Sequence, residues 1–264
     1  MLHGFINVAM KRQYHIGVAP GEISDYILLC GDPARAERTS RLFDKTVFEG
    51  RNREFVTYTG TYKKMPVSVM STGIGPDNTE IAVIEISQIV KKPVFIRIGS
   101  TGALQKNIKT GELVISTGAV RLENTSLFFV PEGYPAVADY NIIQSLILAA
   151  KKLRAPYHVG LAATAPGFYG AQCRKTGFPL RFPELIGHLR KCNILNFEME
   201  SSTLFILSSI KGFKAGAVCA VYANRPKNIF ISEKEKRNAE LRCIKTGLEA
   251  MRILYEKDND RKIA

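Results

Sequence analysis

The chain has 264 residues, 45% of them apolar and 23% charged, with a net charge of +13. This is the composition of a soluble globular protein long enough to bury a large core, and it excludes a disordered, fibrous or disulfide-scaffold chain. No apolar run approaches the roughly 20 residues of a membrane helix, and Phe5–Met10 has its basic residues after it, the wrong order for a signal peptide.

In chain order, strands are predicted at Tyr26–Cys30, Val67–Met70, Val94–Ile98, Leu113–Ser116, Val159–Ala163, Ile194–Phe197 and Ala215–Tyr222, several of them nearly continuous apolar runs. Helical patterns lie between them, at about Pro33–Phe43, Asn78–Ile89, Asn141–Lys152 and Glu200–Ser209, with a long helix over about Ser232–Glu256. The alternation predicts one α/β domain over 1–264, with a central mixed, largely parallel sheet covered by helices on both faces. Residues 1–14 are expected to be a flexible N-terminal segment and 257–264 a charged tail. In such sheets ligands bind beyond the carboxyl ends of the strands.

The five cysteines are scattered, odd in number and without CxxC spacing, which points to reduced thiols, no zinc site and a cytoplasmic protein. The positive charge comes as short separate pairs such as Lys63-Lys64 and Lys151-Lys152, and Glu233–Arg237 mixes both signs as a solvated helix face does. Neither a nucleic acid nor a membrane is expected as partner. A small anionic substrate or plain solubility explains the charge.

Four segments carry candidate chemistry. Tyr26–Cys30 runs into Gly31-Asp32-Pro33-Ala34-Arg35, where Asp32 suits a helix cap, Pro33 the first turn, and Arg35 an anion at the helix start. Arg97 sits inside an apolar strand before Gly99-Ser100-Thr101-Gly102; a buried arginine there needs a partner. In Phe168–Arg174, the amide of Gln172 and the guanidinium of Arg174 together complement an imide flanked by carbonyls, the edge of uracil. Asn196–Ser201 places Glu198, Met199 and Glu200 where a strand becomes a helix, so that a carboxylate can take the protons of a vicinal diol and Met199 can floor a sugar ring. Each segment alone has a plain structural explanation: a capped turn, a paired core arginine, a solvated loop, a helix-dipole partner. Together they offer surfaces for phosphate, ribose and base. Neither GxGxxG nor GxxxxGK[ST] occurs, so dinucleotide and P-loop binding lack their signatures.

These segments, with Asn52–Phe55, Ser71–Gly75 and Asn224-Arg225, make the chain resemble the nucleoside phosphorylase family from about His15 to the last helix. The resemblance is nearest to its uridine-specific bacterial branch, on the strength of Gln172, Arg174 and Arg225, and of Asn224 where purine-specific relatives carry an acid. It implies phosphorolysis of uridine to uracil and ribose 1-phosphate, with phosphate as co-substrate and no cofactor required. Phosphate would be held by Gly31, Arg35, Arg97 and Ser100, with Arg53 entering from a neighbouring subunit. Ribose would meet Met199 and Glu200, with His15 from that neighbour, and the base would meet Phe168, Gln172 and Arg174. Arg97, Gln172, Arg174 and Arg225 would carry catalysis. The family further implies a hexamer built as a trimer of dimers with shared sites, and in some members a structural potassium ion between subunits near the positions of Glu54, Ile74 and Asn78. Departures stand at Ser100 (usually threonine), Phe197 (tyrosine), Asn78 (serine), Gly170-Ala171 (Pro-Gly) and Tyr222, where relatives have a smaller aliphatic residue that bears on the base pocket. A purine nucleoside phosphorylase, a nucleosidase of the same fold, and a non-catalytic nucleoside-binding protein remain as alternatives.

Overall fold

The computed structural model describes residues 12–263. The expected flexible N-terminal segment therefore falls outside the described residues except for its last three. Strand β1 (Tyr26–Cys30) leads into helix α1 (Pro33–Ser40), then a hairpin of β2 (Lys45–Asn52) and β3 (Phe55–Tyr62), then β4 (Met65–Ser71), α2 (Pro76–Ile89) and β5 (Val94–Ala103). The middle holds β6 (Leu113–Arg121), short β7 (Ala136–Val137), α3 (Tyr140–Lys152) and β8 (Tyr157–Thr164). The last third holds α4 (Leu185–Lys191), β9 (Asn196–Glu198), α5 (Ser201–Lys211), β10 (Lys214–Asn224), β11 (Ile229–Phe230) and α6 (Glu233–Ile263).

All eleven strands join one sheet. β5 lies parallel to β1 on one side and to β10 on the other, and its far end also pairs antiparallel with β9. β10 continues to β6, β6 to β8 and β8 to β9, so these strands close a ring with β5. The sheet is mixed, as expected, but not clearly largely parallel. The β2–β3–β4 meander and the returns β10–β6 and β9–β5 are antiparallel, and together with the short edge pairs they outnumber the parallel pairings.

Local chemistry explains the element ends. Asp32 accepts from the Ala34 N–H at 2.9 Å and Pro33 occupies the first helical turn of α1, as predicted. Gly212 ends α5 in the left-handed region at φ 67°. Ser232 and Glu235 bond reciprocally at the start of α6, which then continues through the expected charged tail to Ile263.

The β2–β3 hairpin, the two-residue strands β7 and β11, and α4 are elements sequence reasoning missed. β2 is polar and largely exposed, and β3 (FVTYTGTY) is rich in Thr and Tyr, so neither reads as an apolar run. Gly60 is what lets β3 approach β2, because a Cβ there would lie 2.0 Å from the Lys45 carbonyl oxygen.

Side chains of β1 alternate between two clusters, as the period of a strand requires. Leu28 and Cys30 pack with residues of α1, α3 and α6, and Ile27 and Leu29 with residues of α2 and α5.

Candidate active site

At the carboxyl ends of β1, β5 and β10 lies a cavity of about 530 Å³. It gathers most of the residues singled out from the sequence: Gly31, Arg35, Arg97 and Ser100; Met199 and Glu200; Phe168, Gln172 and Arg174; and Ile74.

The sheet end is built from buried arginines that already have partners. Arg35, in the first turn of α1, gives its Nε–H to Glu240 of α6 at 3.0 Å, and its Nη1 reaches the Ile98 carbonyl at 3.3 Å. Burial works against its charge, but Cys30, Tyr222 and Glu240 outweigh this and hold the guanidinium above its usual value. Arg97, on β5, donates Nε–H to Glu198 at 3.2 Å and pairs through Nη2 with Glu200. Burial again opposes its charge, and Glu200, Cys219 and Glu198 overcome it. Gly99 makes room for this guanidinium, since a Cβ there would lie 3.0 Å from Arg97 Nη2. The partner demanded of a buried arginine is therefore a carboxylate pair.

Those two carboxylates divide their work. Glu198 accepts the N–H groups of Glu200 and Ser201 at 2.9 Å and takes the Thr164 hydroxyl, so it serves the start of α5. Glu200 accepts the Gly75 N–H at 2.9 Å and faces the cavity beside Met199. Burial raises its pKa, Arg97 lowers it and Glu198 raises it again, leaving the carboxyl above the usual range.

The loop end is different. Arg174 stacks over the Phe168 ring, its Cζ 4.0 Å from the centroid, and donates Nη2–H to the Gln172 amide oxygen at 3.2 Å. Its Nε is buried with no hydrogen-bond partner. Burial, then the charge of Arg225, hold this guanidinium below its usual value, against Tyr169. Arg225 does not line the cavity; it donates to the Gln172 backbone carbonyl at 2.7 Å and so anchors the loop that carries the amide.

Other expected residues lie apart. Arg53 is exposed at φ 55°, its guanidinium 5.7 Å from the centre of the Tyr14 ring, and His15 bonds Glu85 through Nδ1 at 2.6 Å; neither lines this chain's cavity. Glu54 and Asn78 border Gly73, whose added Cβ would sit 2.9 Å from Glu54 Cγ and 2.6 Å from Asn78 Nδ2, next to Ile74. Asn224 is spent on the backbone: its amide nitrogen donates to the carbonyls of Ile108 at 2.6 Å and Gln105 at 3.0 Å. Sequence reasoning missed Glu240, which sits in a helix face of mixed charge, and Phe230, from the short β11, which also lines the cavity. No periodicity marks either one.

The profile of the phosphorylase superfamily matches residues 25–249. A uridine phosphorylase of Thermococcus kodakarensis is 44% identical, the match covering 96% of this chain and 90% of that protein. A guanosine phosphorylase of Halorubrum lacusprofundi is 32% identical over 93% of this chain and 100% of that protein. A crystal structure of uridine phosphorylase from Vibrio fischeri matches with a TM-score of 0.83 at 29% identity, covering 92% of this chain and 98% of the other. The chain belongs to the phosphorylase superfamily and has the single-domain α/β fold of its nucleoside phosphorylases.

Proposed function

We propose that the chain is a uridine phosphorylase, a pentosyltransferase that cleaves the N-glycosidic bond of uridine with phosphate to release uracil and ribose 1-phosphate. One observation carries the reading: a single cavity has buried, charge-compensated arginines at one end and the Gln172–Arg174 pair at the other, with Met199 and Glu200 also in its wall. The relatives named uridine phosphorylase support it.

Breaking the C1′–N1 bond builds positive charge on the ribose and negative charge on the base, as in other glycosyl cleavages. Phosphate is the nucleophile. Arg35, Arg97 and Ser100 hold it against C1′, and Glu200 orients the sugar hydroxyls. Gln172 and Arg174 meet the uracil oxygens, and their donors act more strongly on the charged leaving group than on neutral uridine. The buried, unsatisfied Nε of Arg174 is a donor available for that charge. Asn224, which the resemblance sets against an acid in purine-specific relatives, gives its amide protons to two backbone carbonyls and does not line the cavity, so the base preference rests on Gln172 and Arg174.

The same reading assigns Arg53 and His15 to a neighbouring copy's cavity in a hexamer built of dimers, which accounts for their position outside this one. Glu85 leaves Nε2 of His15 free for that role. Glu54 and Asn78 lie around Gly73 next to Ile74, and the potassium ion that the resemblance sets near them belongs to the proposal as a structural group only. The helices grouped with the two clusters are taken as layers on opposite faces of the sheet, and the five free cysteines fit a cytoplasmic enzyme.

The test is a nucleoside panel assayed with and without phosphate. Uridine should be cleaved only when phosphate is present, with ribose 1-phosphate as product. Equal turnover in phosphate-free buffer would make the protein a hydrolase. Preference for guanosine or inosine would move the assignment to the purine branch, and no turnover of any nucleoside would leave a binding protein.

A further inference from the structure

Tyr222 occupies an irregular position in β10. The pairing of β10 with β5 shifts register between Val221 and Ala223, which makes Tyr222 the extra residue of a bulge. Bulges re-aim side chains, and this one sends the ring toward α6 instead of toward the Phe168–Arg174 loop. The hydroxyl lies 3.5 Å from Arg35 Nη2 and 3.3 Å from Glu240 Oε2. Gln172 and Arg174 bond each other and make no hydrogen bond to it.

The surroundings leave this hydroxyl as a donor. Burial raises its pKa, Arg35 opposes and Glu240 adds, so the phenol is pushed up to about 12 and stays protonated at neutral pH. Arg35 is held from behind by Glu240, and among the described residues its Nη2 has no hydrogen-bond partner closer than Tyr222. An anion on Nη2 therefore comes within reach of the phenol. A hydroxyl proton turns freely about its C–O bond, so one donor can serve Glu240 first and an oxyanion afterwards.

Resting on the reading of this cavity as a phosphate-using site, we propose that Tyr222 is a phosphate-binding residue and that Glu240 is the positioning residue that holds Arg35 beside it. The phenol belongs to the sheet end of the cavity, although its place two residues before Asn224 suggests the base end.

The experiment compares wild type with Tyr222→Phe and Tyr222→Leu, the first keeping the ring and the second giving up both ring and hydroxyl. Losing a hydrogen bond to a charged oxygen should raise the phosphate KM roughly tenfold in both variants. The uridine KM should stay within about twofold, and titration of the free protein with inorganic phosphate alone should show the same weakening. Unchanged phosphate KM and phosphate affinity in both variants would overturn the proposal, and so would a change confined to the uridine KM. Wild type decides the underlying reading separately. If it needs no phosphate, the phosphorylase assignment falls; if it needs phosphate while both variants bind it normally, only the role of Tyr222 falls.

Discussion

Arg35 and Arg97, at the sheet end of the cavity, are buried and meet carboxylate oxygens from Glu240, Glu198 and Glu200, whereas Arg174 and Arg225, at the loop end, form no ion pair among the described residues. A buried charge is costly unless it is paired. At the sheet end the chain supplies the pairing itself, so those cations are part of the fold as well as of the site. At the loop end, burial acts largely unopposed and both guanidiniums are held below their usual value. Arg174 lines the cavity, so a ligand there can supply the missing compensation, most of all when it carries negative charge. The contrast matches the chemistry: phosphate is an anion throughout, while the base becomes anionic only as the glycosidic bond breaks.

The largest effect should come from breaking the compensated end. Arg97→Ala leaves Glu198 and Glu200 buried without their cation, at a cost of about 3–5 kcal/mol in stability by denaturant unfolding. Phosphate saturation should be lost as well. A variant as stable as wild type would show that the two carboxylates do not depend on Arg97.

Arg174→Ala should do the reverse. The donor lost to the leaving group should cost about 2–4 kcal/mol in kcat/KM, two to three decades, with the phosphate KM nearly unchanged. Stability should move by less than about 1 kcal/mol, because no carboxylate is stranded. If unfolding and catalysis fall together, the two ends are not distinct in the way described.

Mixing sharpens the comparison across subunits. Arg53→Ala and Arg174→Ala proteins, each strongly impaired alone, should regain activity after subunit exchange, since in random mixed dimers roughly a quarter of the sites are intact. No recovery after verified exchange removes Arg53 from a shared site.

The smallest effect concerns a compensated charge far from the cavity. Glu249 of α6 meets Lys63, Lys152 and Arg252. Burial raises its pKa, but bonds from Arg252, Lys152 and Lys63 overcome this and bring it down from 4.5 to about 2. A folded-state pKa below the unfolded one gives stability that is present above pH 4.5 and fades as pH falls toward 2. With both lysines more than half exposed and screened, the contribution is about 1–2 kcal/mol. Wild type and Glu249→Gln should therefore differ at pH 6 and converge near pH 2; a gap independent of pH would mean packing, not charge, is responsible.

Much of this was readable from neighbouring residues. Apolar runs marked the strands around which the cavity forms, Asp32-Pro33 marked the start of α1, and an arginine inside an apolar strand announced a buried partner. The β2–β3 hairpin escaped because β2 is polar and largely exposed, while β3 buries Thr and Tyr residues without forming an apolar run. The balance of parallel and antiparallel pairing escaped because alternation of strands and helices is compatible with either, and the β2–β3–β4 meander with the returns of β6 and β9 decides it.

Residue types and short spacings thus determined the strands, the caps and the candidate groups for phosphate, sugar and base. Which carboxylate meets which arginine was a matter for the assembled sheet: Glu198 reaches Arg97 across 101 positions, and Glu240 reaches Arg35 across 205. Such pairs leave no periodic trace, since the residues between them are set by their own elements. The bulge that turns Tyr222 toward Arg35 arises only when β10 is laid against β5, because a register shift is a property of two strands and cannot be written in one.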